Sequence, residues 1–329
     1  MKVTFIVLFL VSMALFSAIA FAGQAPADWK REWPRTDFDK TSVDFSEIMS
    51  GGPPKDGIPA IDAPQFKDVS GVNDLGGQEP VIVLKINEEA KAYPLRILMW
   101  HEIANDTIGG VPVTVTYCPL CNAAVVFDRR VNGKVLDFGV SGKLRHSDMI
   151  MYDRQTESWW QQFVGRGIVG AMTGMELKRL PARVIPFSAF KASYPNGKVL
   201  VAGNGNARHY GENPYVKYDS AENPFLYRGH YDGPGQPLSY VVAVEKDAWL
   251  LDDLRNAGVI EHDDLRLEWY EGMNSALDAG RIDQGRDIGF IAVQKKTTSG
   301  YEDISYNTTF AFAFKAFHPD GVIHSFPAR

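Results

Sequence analysis

The sequence predicts a β-dominated α+β fold, with mixed or antiparallel sheets, long loops and few helices. Three observations carry that expectation. Short β-branched runs with alternating character recur, among them PVIVLKI (80–86), VPVTVTY (111–117) and LSYVVAVE. The 30 Gly and 19 Pro residues interrupt them, so no run is long. Helical spacing shows in only a few places, chiefly LRILMWHEIAND (95–106) and KDAWLLDDLRNAG (246–258). A hydrophobic content of 45% supplies a packed core and excludes a disordered secretory chain.

The chain opens MKVTFIVLFLVSMALFSAIAFAGQ: one Lys, an apolar run, then small residues ending in Ala20-Phe21-Ala22. That layout predicts a secretory signal peptide over residues 1–22. An uncleaved anchor is the rival reading, because the run nearly suffices to span a bilayer. The small-x-small site and the polar segment after it favour cleavage. The mature chain is then expected outside the cytoplasm, periplasmic or secreted, with no stable membrane span. Residues 23–59, polar with scattered aromatics, are expected to form an N-terminal arm, and residues 60–329 a single domain. No internal repeat is evident.

Within that domain, GGPPKDGIPAIDAPQF (51–66) is too rich in Gly and Pro to be regular. A strand at 80–86 turns at Asn87-Glu88-Glu89 into AKAYPL. The helix predicted over 95–106 carries Trp100 and His101 near its middle. The strand VPVTVTY follows, and AAVVFDRRVNGKVLDFGVSG (123–142) predicts a hairpin turning at Asn132-Gly133. Residues 203–240, dense in Asn, Gly, Pro and Tyr, predict a functional lid or an excursion pinned by its aromatics. TTFAFAFKAFHPDG (308–321) predicts an apolar strand ending near His318.

Loss of Lys2 with the leader takes the formal charge from −6 to −7. No basic stripe is present, so nucleic acid is not an expected partner; a small molecule or a metal is.

Both cysteines of the chain, Cys118 and Cys121, fall in TYCPLCN (116–122). Outside the cytoplasm such a pair oxidises unless a metal or a reductant protects it. Three readings follow. A redox pair needs its first thiol at a helix N-terminus, where the dipole lowers the pKa. The residues after Cys121 run straight into a hairpin, which argues against that helix. A metal site fits a turn between strands better, and it needs further ligands from elsewhere. Of the 7 histidines, His101 is the first candidate and His318 the second. Sulfur with imidazole suits copper or zinc, with iron as a further candidate. A local disulfide or an inert reduced pair is the bland reading, and any one histidine is more often a satisfied polar residue than a ligand.

Glu102 stands beside His101 in WHEIAND and is a candidate general base or orienting partner. This is not H-E-x-x-H, because position 105 is Asn, so a zincin protease is not supported. Asn105-Asp106 also read as a helix terminus before Gly109-Gly110. Asp153, Arg154, Thr156, Glu157 and Ser158 in MYDRQTESWWQQ could hold a polar ligand or tie a loop to itself. The chain has no G-x-S-x-G, no P-loop and no dinucleotide fingerprint after a strand.

The strings AYPLRILMWHEIANDTIGGVPVTVTYCPLCNAAVVFDR, FGVSGKLRHSDMIMYDRQTESWWQQ and FAFKAFHPD closely resemble the family catalogued as domain of unknown function 3179, over roughly residues 60–325. The family is named for its unknown function, so the resemblance implies no chemistry. It implies that His101, Glu102, Asn105, Asp106, Cys118, Cys121, Ser141, Gly142, Asp153, Thr156, Ser158 and His318 fall on the family pattern. His146 stands where Asn is expected, which demotes it as a ligand. Asn122 stands where Gly is expected, and both residue types tolerate positive φ.

The leading expectation is therefore a transition-metal site built from Cys118, Cys121 and His101 or His318, for metal handling or metal-dependent catalysis, with Glu102 as an added catalytic candidate. The alternatives are a thiol-disulfide oxidoreductase, with Cys118 attacking and Cys121 resolving, and a non-catalytic binding protein using the 203–240 loop.

Overall fold

A computed structural model describes residues 23–203 and 208–326. The expected leader, residues 1–22, lies outside the described residues. Among the described residues the strands form five sheets of four or five strands, arranged as a five-bladed propeller, and one two-stranded ribbon (Arg130–Val131 with Lys134–Val135), at 40% strand and 15% helix. The β-rich expectation with few helices stands. The helical part is slighter than α+β implies: among the described residues the five α-helices are of 6 or 7 residues, and the last four join strands rather than forming a layer.

The first blade starts with the hairpin Pro80–Ile86/Glu89–Pro94, and the second follows as Ile103–Ile108, Val111–Cys118 and Ala123–Asp128. The third blade holds Phe138–Arg145, Asp148–Asp153, Trp159–Gln161 and Arg166–Val169, edged by Ile48–Ser50. The chain then returns to finish what it began. Arg179–Leu180 completes the second blade, and Arg183–Pro186 with Lys198–Val201 completes the first, where Gln65–Asp68 forms the outer edge. The fourth blade opens with Tyr240–Val244 and Asp247–Leu250. It waits for the whole fifth blade (Val259–His262, Leu265–Tyr270, Phe290–Thr297, Gly300–Asp303) and closes with Asn307–Phe310 and Val322–His324.

This nesting reveals a repeat that the sequence reading did not find. The first two blades and the last two share one plan. A hairpin leads through a seven-residue helix, α2 (Leu95–His101) or α4 (Leu251–Ala257), into the next blade. On the return, a strand leads through α3 (Phe187–Ser193) or α5 (Ala311–Phe317) into a strand that pairs parallel with the opening hairpin. The signature is AFKASYPNG (189–197) against AFKAFHPDG (313–321).

Three expected elements are corrected by this plan. The 95–106 helix stops at His101, and residues from Ile103 on are strand. The 246–258 helix begins only at Leu251, after the strand Asp247–Leu250. The 308–321 strand gives way at Ala311 to α5, whose first four residues, Ala311, Phe312, Ala313 and Phe314, are all buried. In each case a short apolar run suits either period, and the neighbouring blade decides. The turn at Asn132-Gly133 forms, both residues having positive φ, but it joins only Arg130–Val131 and Lys134–Val135; the expected 123–142 hairpin is not made, because Ala123–Asp128 and Phe138–Arg145 belong to different blades.

One core cluster spans the blade interiors. Residues 23–59 pack on the third blade: Trp29, Trp33 and Phe38 from α1 (Ala27–Glu32) and the turn after it crowd the Trp159 ring at 5.2–5.5 Å between centroids. Glu157 pins the same segment by accepting from Lys55 Nζ at 2.7 Å and Arg35 N at 3.0 Å. Among the described residues no helix is long and apolar enough to cross a membrane.

Candidate functional site

Val111–Cys118 ends on the first thiol, and Pro119-Leu120 turn the chain. Asn122 N–H donates to Pro119 O at 3.1 Å, with φ of +47° at Asn122, and Ala123–Asp128 runs back with Ala123 opposite Cys118. The cysteines therefore occupy a bend between extended segments, and no helix starts at Cys121. They lie 4.3 Å apart, unbonded, at 2% and 0% exposure. The turn is held from two sides. Cys121 O accepts from Thr309 Oγ1 at 2.7 Å and Phe310 N at 3.1 Å, while Leu120 O accepts from Tyr218 OH at 3.0 Å.

The third member of the group is Asp148, which sequence reasoning missed. One carboxylate oxygen of Asp148 and both sulfurs lie within 4.8 Å of one another. Oδ2 accepts from Gln161 Nε2 at 2.7 Å and from Phe163 N at 3.0 Å. Oδ1 is buried with no partner inside ordinary hydrogen-bond limits, and the two thiols act on the carboxylate as weak donors that oppose the effect of burial. Asp148 is placed by a hairpin turn in which His146 and Ser147 both take positive φ, a shape that Asn-Gly adopts with least strain. The Cys118 thiol points at Ser147 O, 3.8 Å away, and Ser147 Oγ donates to Phe225 O at 2.6 Å. The clue in the sequence was an Asp at the head of the apolar run DMIMY.

Glu102 caps α2 in an unusual conformation, φ +56° and ψ −31°. A side chain in such a region costs ~1–3 kcal/mol and persists only where its surroundings hold it. Its repeat counterpart is Gly258, at φ +74° and ψ −50°, the residue that takes this shape without strain. Backbone bonds from Glu102 N to Leu98 O (2.7 Å) and from Tyr117 N to Glu102 O (2.8 Å) lock the acid beside the cysteine strand. Glu102 lies outside the 4.8 Å group, yet its charge is felt at Cys118, and that of Asp148 at Glu102.

All four acids are disfavoured as anions. Burial, then the Asp148 charge, pushes Glu102 up to about 8. Burial carries Asp148 up to about 7 against the hydrogen bonds it accepts. Burial also raises Cys118, and raises Cys121 still further with Cys118 adding to it. Among the main causes of these shifts there is no Lys or Arg. The arrangement is a buried acidic cluster, with no cation among the main influences on it from the described residues.

The histidines expected as ligands are not in this group. His101 turns away: Nδ1 lies 2.7 Å from Pro59 O and Nε2 lies 2.6 Å from Tyr210 OH, so both ring nitrogens are occupied. It lines a separate cleft of about 210 Å³ with Ile61, Ile97 and Val201. His318 ends α5 against Phe314 and Phe163, and the repeat sets Tyr194 at the same place after α3, with matching dihedrals. A residue common to both copies in position but not in chemistry marks a helix end. Asp148, a carboxylate, stands where an imidazole was expected.

The other constellations are structural. Asp153 accepts from Thr156 N (2.6 Å), Thr156 Oγ1 (2.8 Å) and Trp160 Nε1 (2.9 Å), tying its loop to itself. Asn105 bridges Asp62 and Phe138 O, both at 2.8 Å. The described part of the 203–240 loop lies over the cysteines. Tyr218 and Phe225 make the bonds given above, and Asp219, fully buried, accepts from Ser275 Oγ (2.5 Å), Arg286 Nη1 (2.9 Å) and Tyr240 OH (3.1 Å).

No curated protein and no solved structure matches the chain. The family profile described as "Protein of unknown function (DUF3179)" matches residues 55–321, and the chain belongs to that family.

Proposed function

We propose that Cys118, Cys121 and Asp148 hold a transition-metal ion in an extracytoplasmic protein, with Glu102 as the acid beside it. One observation carries this reading: a carboxylate oxygen of the buried Asp148, whose Oδ1 has no partner, lies within 4.8 Å of both unbonded sulfurs. A divalent cation supplies the charge that these buried acids lack, and three ligands leave a coordination position open, as in catalytic rather than structural sites. Of copper, zinc and iron, a mixed thiolate and carboxylate set suits zinc best. Metal handling uses such a site; the open position and a protonated Glu102, able to donate at neutral pH, favour metal-dependent catalysis.

A thiol-disulfide exchange reading is favoured by one observation, Asp148 beside both sulfurs as a proton acceptor. Against it stand the burial of Cys118 and a thiol pKa raised rather than lowered. A binding protein using the 203–240 loop is weighed against by Tyr218 and Phe225 of that loop, which are bonded to Leu120 and Ser147 beside the cysteines.

Elemental analysis of protein purified without oxygen, with thiol titration, separates these. One equivalent of metal that is lost from Cys118→Ser/Cys121→Ser supports the proposal. A metal-free protein with a reversible Cys118–Cys121 disulfide supports the exchange reading and overturns ours.

A further inference from the structure

The blade repeat builds one polar site twice, with different chemistry. In the first copy, Lys91 Nζ lies 2.8 Å from Asp106 Oδ2 and 3.4 Å from Glu89, and Tyr93 OH donates to Asp106 at 2.5 Å. The helix caps Glu102 and Gly258 fix the register between copies, so Asp106 corresponds to His262, Tyr93 to Trp249 and Lys91 to Asp247. The parallel strand pairings agree, Lys198 lying beside Lys91 and Val322 beside Asp247. They bring His324 next to Trp249. The ammonium of the first copy has thus become a carboxylate, its carboxylate an imidazole, and a second imidazole has joined them.

Asp247, His262 and His324 each present a ligand atom within 4.8 Å of the other two. His324 Nε2 lies 2.7 Å from Asp247 Oδ1, and the two imidazole rings are 4.5 Å apart. Trp249, fully buried, stacks on His324 at 5.2 Å and 19° and fixes its ring. The side chains are 45%, 34% and 22% exposed for Asp247, His262 and His324, so an ion reaches them from solvent.

We infer that Asp247, His262 and His324 bind a divalent transition ion of the zinc, nickel or copper(II) class, independently of the cysteine centre. Two imidazoles and a carboxylate are the borderline donor set these ions prefer, with water free to complete the shell. Tetrahedral bonds of ~2.0–2.1 Å to N and O set ligand atoms ~3.4 Å apart, a closure within reach of half-exposed side chains. The ion restores the positive charge that Lys91 provides in the first copy. It also clasps the edge strand Val322–His324 to the fifth blade through His262. His324 lies beyond residue 321, where the family match ends.

The test is a cobalt(II) titration of the untagged, reduced protein followed by absorbance, with zinc(II) equilibrium dialysis beside it. Two classes of bound cobalt are expected, one with a thiolate-to-metal charge-transfer band and one with ligand-field bands alone. His262→Ala and His324→Ala should each weaken the second class more than ~100-fold, beyond the 10–100-fold that loss of a supporting partner costs, and leave the charge-transfer band intact. Asp247→Lys/His262→Asp, which installs the first copy's ion pair, should fold with an unchanged melting temperature and take up no second ion. The inference is overturned if the second class is missing from the parent protein, as a bare Asp–His hydrogen bond predicts, or if it survives in these variants. Loss of the charge-transfer band alone would strike the cysteine centre and leave this site standing.

Discussion

Replacing Glu102 by Gln tests the acidic cluster through its linkage to folding. In the folded protein the carboxyl is raised from 4.5 to about 8. Below pH 4.5 it is protonated folded or unfolded, and it costs no stability. Between pH 4.5 and about 8 the unfolded chain releases the proton while the folded chain keeps it, so stability falls with each pH unit and levels off above 8. At ~1.4 kcal/mol per pH unit the whole interval amounts to roughly 4–5 kcal/mol. Some of that belongs to Asp148, whose charge helps to raise Glu102. Gln keeps the shape and cannot ionise. Urea unfolding of both proteins at pH 5 to 8, with chelator and reductant present, should give similar stabilities at pH 5 and a Glu102→Gln protein more stable by several kcal/mol at pH 8. Glu102→Gly should show the same flattening plus relief of the φ +56° strain, ~1–3 kcal/mol less the entropy of a free glycine. Parallel stability–pH curves for the parent and Glu102→Gln would refute the reasoning.

Three further outcomes follow from the same structure. Metal affinity at the cysteine centre should rise steeply with pH, because Asp148 at about 7 and both raised thiols must lose protons to bind; competition titrations at pH 6 and 8 measure it, and a flat profile contradicts thiolate ligation. Asp219→Ala strips a partner from Tyr240, Ser275 and Arg286, the last keeping Asp278, and should cost ~1–3 kcal/mol, with faster cleavage by protease in residues 208–239 and faster labelling of the buried thiols. Trp33→Ala empties a fully buried site between Tyr152 and Trp159 and should cost ~3–5 kcal/mol, read by urea unfolding, with hydrogen exchange rising over residues 23–50.

The sequence conveyed local features well and distant ones poorly. Alternation in PVIVLKI and VPVTVTY, and the bend at Cys118–Cys121, are written within a few residues, and they form as read. The helix expected over 95–106 failed because its second half, IANDTI, has no fixed period until Val111–Cys118 pairs with it. The propeller itself depended on seeing AFKASYPNG and AFKAFHPDG as copies, which also would have set His318 aside as a counterpart of Tyr194. Asp148 was hidden for another reason: nothing near it in sequence tells which way a strand carboxyl points. Histidine is the expected third ligand on sulfur–imidazole chemistry and on chain position, and His101 lies near the cysteines in sequence while facing Pro59 and Tyr210 in space.

The order in which the blades close has a consequence for how this protein comes to be made. Cys121 is capped by Thr309 and Phe310, about as far along the chain as contacts with it reach. During synthesis the paired thiols are therefore naked until nearly the last strand arrives, and a folding route ruled by such remote contacts is slow. If the chain emerges into an oxidising space, as the extracytoplasmic proposal requires, the thiols race against oxidants the whole time. An ion caught early by the pair would act as a protecting group during that interval, before it serves any purpose in the finished molecule.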